Sequence, residues 1–215
     1  ILFSGKGAKK NNFMMELYLA NEKDRKQFPA IYDSSIIVFD RKSDSIYKRR
    51  LDFYEQKKKD IGWSDGFDFY AKARLNLNYY TKKERYPYVH TMRTGENVRP
   101  QLHSTYYAFR NKINFNDPRL IHFSPFARYL TSMLNNRASA KEYTDKDNKA
   151  LMENIEKLRI ADSIFTDKDI KNEVLDNIAF AYILEDQNIA NNEKFLDQYM
   201  RLSTNKDNDI KKMGR

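Results

Sequence analysis

The fold class is decided by residues 124–134, which read SPFARYLTSML. Ser124 can cap the first turn of a helix, and Pro125 suits the first helical position because the N–H that proline lacks has no partner there anyway. Large apolar side chains then recur every three or four residues, which is the period of an α-helix. They are Phe126, Tyr129, Leu130, Met133 and Leu134. The spacing predicts a helix with one buried face.

The remainder of the second half repeats this helical pattern. Apolar residues recur at helical spacing in three further segments, residues 151–165, 170–182 and 195–200. Short polar stretches separate these segments, as expected for helices joined by turns. We expect Leu130 to be buried against Leu158 on the first of these helices or Ile178 on the second.

The first half combines helical signals with a predicted loop. Apolar residues seven apart, from Phe39 to Phe53, share one stripe of a helix. Gly62 should end this helix, and Ser64 can cap the next one. Proline and glycine then predict that residues 82–100 form a long irregular connection. Loops of this length often carry function, so a catalytic site within this one is a hypothesis.

Composition also favours helices. Among 215 residues there are only 6 Gly and 5 Pro, too few for a turn-rich β fold, while 40% of residues are hydrophobic, enough for a core. We predict an all-α array of about 7–8 antiparallel helices, preceded by a short strand remnant at Ile1–Phe3. We expect residues 1–110 and 111–215 to be halves of one continuous helical domain, cut from a longer protein.

The two halves differ in charge. The chain carries a net charge of +9, and all of the excess lies in residues 1–110, together with two thirds of the aromatic residues. Basic, aromatic-rich segments are typical of proteins that bind single-stranded nucleic acid. The alternative is that the cations lie on the solvent face of a helix and the aromatics fill a core. The candidate contacts for an anionic partner are Lys48, Arg49, Arg50, Lys57, Lys58 and Lys59.

No catalytic motif can be recognised in the sequence. The chain has no cysteine, which excludes a thiolate nucleophile, a disulfide and a Cys-ligated metal. His90, His103 and His122 are too far apart in sequence for the short ligand spacing typical of zinc sites. We therefore predict no catalytic residue, no metal site and no cofactor for this chain.

Three stretches are similar to one protein family. They are residues 3–13 (FSGKGAKKNNF), residues 117–130 with DPRL and SPFARYL, and residues 170–204 with FLDQY. Together they resemble the helical region that precedes the thioredoxin-like domain of TlpA-like thiol-disulfide oxidoreductases, members of the redoxin family in the Gram-negative envelope. In that family the reactive Cys-x-x-Cys lies downstream of this region, so no catalytic residue carries over to this chain.

The resemblance implies a non-catalytic accessory domain. Such a domain would act as a spacer and interaction surface for a protein partner or for neighbouring domains of the same chain, in the periplasm or cell envelope. Two other functions stay open at this point. One is a basic helical module that binds nucleic acid through residues 1–110, and the other is an enzyme whose site lies in residues 82–100.

Overall fold

The fold was obtained as a computed structural model, which describes residues 2–185, 188–205 and 209–210. Within these ranges the chain forms eight named α-helices and no strand, which confirms the all-α prediction. The predicted strand remnant is not found at Leu2 and Phe3, and Ile1 lies outside the described residues. The backbone N–H of Phe3 donates to Asn12 Oδ1 at 2.7 Å, and Asn12 Nδ2 donates to the Phe3 carbonyl at 3.0 Å. The Asn12 side chain thus binds the backbone N–H and carbonyl of Phe3, which a neighbouring strand would otherwise bind.

The chain folds as two compact units that divide between Tyr106 and Tyr107. The helices of the first unit are α1 (Ala8–Arg25), α2 (Phe28–Tyr32), α3 (Ile36–Ile61) and α4 (Asp65–Thr94). Those of the second unit are α5 (Ser124–Ala138), α6 (Lys149–Ile164), α7 (Lys168–Glu185) and α8 (Ile189–Leu202). Short 3₁₀ turns lie at Arg99–Gln101, Ala108–Lys112 and Pro118–Leu120.

Aromatic side chains form much of the core of the first unit. Phe13 of α1 and Tyr54 of α3 are fully buried, and the Phe13 ring centroid lies 4.9 Å from that of Trp63. Leu17 and Leu75 are buried in the same cluster. Many aromatic residues of the basic half therefore pack inside the unit, where they are not available for stacking on bases.

Two glycines end the long helices of the first unit, and Gly62 does so as the sequence pattern predicts. Gly62 has φ 63° after α3, and its N–H donates to the Lys58 carbonyl at 3.0 Å. Gly95 has φ 78° after α4 and donates in the same way to Thr91 at 2.9 Å. Only glycine adopts this left-handed conformation without steric cost, which fixes both helix ends.

The prediction of an irregular loop over residues 82–100 is wrong for most of that segment, because α4 continues through Pro87 to Thr94. Proline has no N–H, so the Lys83 carbonyl loses its usual helical partner. The Tyr106 hydroxyl donates to this carbonyl at 2.9 Å, in a buried position. A side chain outside the helix thus supplies the missing hydrogen bond, and the proline is accommodated. Only residues 95–100 lie outside α4.

In the second unit, α6 packs against α5, α7 and α8. The Asp167 carboxylate accepts the N–H groups of Asp169 and Ile170, each at 3.0 Å, and so caps α7. Asn188 caps α8 by accepting the N–H of Asn191 at 3.2 Å. These carboxylate and amide oxygens satisfy N–H groups that the first turn of a helix leaves free.

Candidate functional site

The second unit contains an apolar groove between α5 and α7, with α6 contributing to its lining. Its volume is about 320 Å³. Leu130 and Leu134 line it from α5, and Val174 and Ile178 line it from α7. Leu130 is 5% exposed, as expected, and shares this groove with Ile178. We refer to this feature as the α5–α7 groove.

The α5–α7 groove is open to solvent along its length. Ala127 on α5, and Asn177 and Ala181 on α7, line it and are exposed. Two large apolar side chains of α7 outside the groove lining are exposed, Phe180 at 53% and Leu184 at 61%. Leu184 follows Ala181 by three residues, so it lies on the same helix face, one turn further along. Leu184 thus lies just beyond the α7 wall of the groove, and Phe180 lies one turn before Leu184 on the same helix.

One cation lines the α5–α7 groove. Lys157 on α6 is half-buried, and its ammonium donates to Asn154 Oδ1 at 3.0 Å. Burial lowers the pKa of Lys157, and the nearby Glu153 and Glu185 partly oppose this effect. Neither glutamate forms an ion pair with it at 4 Å or less, and the described residues supply no other ion-pair partner. The groove lining thus carries one cation, Lys157, and one acid, Glu173, among apolar, hydroxyl and amide side chains.

Four of the six predicted anion contacts are engaged in ion pairs within the first unit. Lys57 Nζ lies 2.9 Å from Glu16, and Lys58 Nζ lies 2.9 Å from Asp68. Burial favours a higher pKa for Asp68, but hydrogen bonds from Trp63, Tyr54 and Lys58 outweigh it and lower the pKa to about 2. Lys58 therefore completes a network around a persistently charged carboxylate.

Arg49 and Arg50 both approach Asp24, which is buried on α1. The Arg50 guanidinium forms a close ion pair with Asp24 and also donates to the Ala20 carbonyl at 2.8 Å. Arg49 lies 3.8 Å from the same carboxylate. These contacts with Asp24 link α3 to α1, so both arginines already interact with a carboxylate of the protein itself.

The two remaining cations, Lys48 and Lys59, are exposed and have no ion pair among the described residues. They lie about three helical turns apart on one face of α3. Asp52 and Glu55 fall between them on that face, given the helical period. The six cations are distributed around α3 with acids between them, so they do not form a continuous positive surface.

The three histidines occupy separate environments. His90 is buried, with Nδ1 2.8 Å from the Tyr32 carbonyl and Nε2 3.8 Å from Glu96. His103 Nε2 lies 3.5 Å from Asp40, whose carboxylate also pairs with Lys83 at 3.0 Å.

His122 is exposed in the second unit and lines a shallow depression with Asp167 and Asp169. No group of three histidine or acidic side chains suited to a metal ion occurs in the described part of the chain.

Sequence reasoning missed the α5–α7 groove and Lys157. The helical periodicity of the sequence predicts the apolar faces of α5 and α7, but it does not predict the open space between these helices. Lys157 follows the apolar Ile155 by two residues and precedes Leu158, a position that the sequence alone assigns to either the core edge or solvent.

No helix in the described residues is long and apolar enough to cross a membrane. Comparisons with protein-family models, curated proteins and solved structures gave no match to this chain.

Proposed function

We propose that this chain is a non-catalytic helical interaction domain that holds an apolar segment of a protein partner in the α5–α7 groove. The observation that carries this proposal is the groove itself, which is lined by apolar residues of α5 and α7 and has the exposed Phe180 and Leu184 near it on α7. Contiguous exposed apolar surface is costly in water and marks interaction sites on soluble domains.

The shape of the groove suits a row of partner side chains. Grooves between two helices that rest on a third commonly receive an amphipathic segment, whose apolar residues enter while its polar face stays in water. Leu130, Leu134, Val174 and Ile178 offer the apolar walls that such a segment needs.

A binding role for the second unit is better supported than nucleic-acid binding by the first. Ion pairs with Glu16, Asp24 and Asp68 engage four of the six candidate cations. Phosphate binding would have to compete with these carboxylates, and affinity for nucleic acid depends on free cations that displace counterions.

The resemblance to TlpA-like proteins supports a context for this domain. We propose that it precedes a thioredoxin-like domain in a thiol-disulfide oxidoreductase of the periplasm or cell envelope. Its partner would then be a protein of that compartment or a neighbouring domain of the same chain. The partner-binding groove is independent of the redox chemistry, because this chain has no cysteine.

The groove can be tested with a neutral apolar dye such as Nile red, whose fluorescence rises in apolar sites. Ala127→Arg places a charge at the exposed edge of the groove, and Ala150→Arg is the matched control, because Ala150 is an exposed helical alanine outside the lining. We expect dye binding to fall at least tenfold in the first variant and to be unchanged in the second. Equal binding in both variants would contradict the proposal.

A further inference from the structure

We propose that Lys82 is a site of reversible carbamate formation, at which its side-chain amine combines with carbon dioxide and the product is held beside Arg50. The site lies within the first unit. It is therefore a further function, separate from the α5–α7 groove, and it does not depend on what that groove binds.

Lys82 lines a small cavity between helices of the first unit. Asn21 of α1, Arg50 of α3 and Asn78 of α4 line the same cavity. Its volume is about 20 Å³, on a scale where about 10–15 Å³ accommodates one water molecule. The side-chain amides of Asn21 and Asn78 have no hydrogen-bond partner in the residues that the structure describes, so both can donate to a molecule there. Carbon dioxide is among the smallest carbon electrophiles, and it suits a space that excludes bulkier acylating groups.

The Lys82 ammonium has few favourable interactions. It lies 4.4 Å from the centroid of the Phe28 ring, a cation–π contact that supplies no hydrogen bond. It forms neither an ion pair nor a hydrogen bond within the described part of the chain. A half-buried charge without such partners is unfavourable, and the amine relieves this cost by losing a proton.

Lys82 can therefore supply the neutral amine that attack on carbon requires. Burial lowers the pKa of Lys82 to about 8, with Asp24 opposing the shift and Arg50 adding to it. At pH 7 about a tenth of the molecules then hold a neutral amine at this position, which is roughly two to three hundred times the fraction for a lysine of ordinary pKa.

The charges around the cavity favour a carbamate over an ammonium. Arg49 and Arg50 share the Asp24 carboxylate, so this cluster has an excess of positive charge while Lys82 is protonated. Carbamate formation replaces that cation by an anion. The Arg50 Nε–H is also buried without an acceptor among the described residues, and an unsatisfied buried donor is costly. A carbamate on Lys82 would place acceptor oxygens in the cavity that Arg50 lines.

The acids nearest the cavity are already engaged. Asp24 pairs with both arginines, as described above, and Asp44 accepts a hydrogen bond from the Tyr79 hydroxyl. Tyr47, which also lines the cavity, donates its hydroxyl to Asn76 at 2.7 Å. These groups would neither replace a carbamate as the acceptor for the Arg50 Nε–H nor take the proton from Lys82.

The reaction is an addition in which atoms and charge balance. The Nζ lone pair of neutral Lys82 attacks the carbon of carbon dioxide, an N–C bond forms, and the electron pair of one C–O π bond moves to oxygen. The nitrogen then releases one proton to water, which leaves a carbamate with a single negative charge. Uptake of a proton and loss of carbon dioxide reverse the step.

Chemical trapping of the carbamate in the full chain tests the proposal. The protein is equilibrated with ¹³C-labelled bicarbonate at neutral pH, treated with triethyloxonium to esterify any carbamate, and analysed by peptide mass spectrometry. Lys72 is the matched control site, because it lies on α4, is exposed and is outside the cavity lining. Arg50→Lys keeps the charge at position 50 and removes the guanidinium Nε–H, and circular dichroism checks that this variant is folded.

We expect at least tenfold more labelled carbamate at Lys82 than at Lys72, and none at either site when carbon dioxide is removed before trapping. Arg50→Lys should lower the carbamate at Lys82 at least threefold. Equal labelling of Lys72 and Lys82 would overturn the proposal, and because both sites are compared within the wild type, this result does not depend on a variant.

Labelling with acetic anhydride separates a reactive amine from a carbamate site. If Lys82 reacts faster than Lys72 with the anhydride but carries no trapped carbamate, the amine is nucleophilic and the cavity does not hold the product, so the proposal fails. It also fails if folded Arg50→Lys traps as much carbamate at Lys82 as the wild type does.

Discussion

The hydrogen bond from Tyr106 to the Lys83 carbonyl predicts a specific energetic coupling with Pro87. Tyr106→Phe removes the hydroxyl and leaves the carbonyl, which lies in a buried position, without the donor that replaces the proline N–H. Leaving a buried polar group unsatisfied costs about 1–3 kcal/mol. The Lys83 ammonium lies 4.7 Å from the Tyr106 ring centroid, a contact that phenylalanine keeps, so the loss reports the hydroxyl.

The coupling appears when the same change is made in a Pro87→Ala background. The substituted alanine would restore a backbone N–H to the Lys83 carbonyl, as in an uninterrupted helix. Tyr106→Phe should then cost only about 0.5–1 kcal/mol, since no carbonyl is left without a donor. This double-mutant cycle should therefore give a coupling free energy of about 1 kcal/mol between residues 87 and 106.

Urea denaturation of the four proteins measures this cycle. Trp63 is the only tryptophan and packs in the core of the first unit, so its fluorescence follows the unfolding of that unit. In thermal unfolding of the same four proteins, each kcal/mol of lost stability should lower the melting temperature by about 4–8 °C for a unit of this size. If Tyr106→Phe costs the same in both backgrounds to within about 0.5 kcal/mol, the hydroxyl does not compensate for the proline.

Three further predictions concern other sites. Leu130→Ala should destabilise the second unit by about 2–5 kcal/mol in thermal or urea unfolding, because Leu130 is 5% exposed, and a loss below about 0.5 kcal/mol would mean that its burial contributes little. Burial lowers the pKa of Lys82 to about 8, with Asp24 opposing the shift and Arg50 adding to it. Between that value and the ordinary lysine pKa the unfolded chain binds more protons, so the stability contributed by Lys82 rises with pH. The free energy of unfolding of wild type minus that of Lys82→Met should therefore increase by about 2 kcal/mol from pH 7 to pH 10, whereas a constant difference would contradict the burial of the ammonium. Single-stranded DNA titrated by fluorescence anisotropy at about 150 mM salt should bind more weakly than about 1 μM, because most of the candidate cations are paired, and tighter binding would restore the nucleic-acid hypothesis.

Local sequence signals predicted the helices well where both cause and effect lie within a few residues. The apolar period of α5 and the glycine after α3 are examples, since helical period and left-handed φ depend on short-range geometry. The same local rules failed at Pro87. Proline is unfavourable inside a helix, and the group that compensates for it, Tyr106, lies nineteen residues later in the sequence. No local pattern reports such a contact.

The candidate site could be predicted only in part for a similar reason. The apolar faces of α5 and α7 follow from periodicity, but the groove depends on how far apart α6 holds them. Charge counting likewise identified Arg50 and Lys58 as candidate contacts, while their pairing with Asp24 and Asp68 depends on the tertiary fold. The count of charges is a property of the sequence, whereas their availability is a property of the structure.

The Tyr106 hydrogen bond also has a consequence for the history of this chain. If proline arose at position 87 while residue 106 was not tyrosine, the Lys83 carbonyl would be left without a donor. If tyrosine was already present, its hydroxyl would supply that hydrogen bond. On this reasoning a tyrosine at position 106 would permit a proline at position 87, and the proline would depend on the tyrosine. Among descendants of a common ancestor, lineages that keep the proline should keep the tyrosine, and those that lose the tyrosine should already have lost the proline.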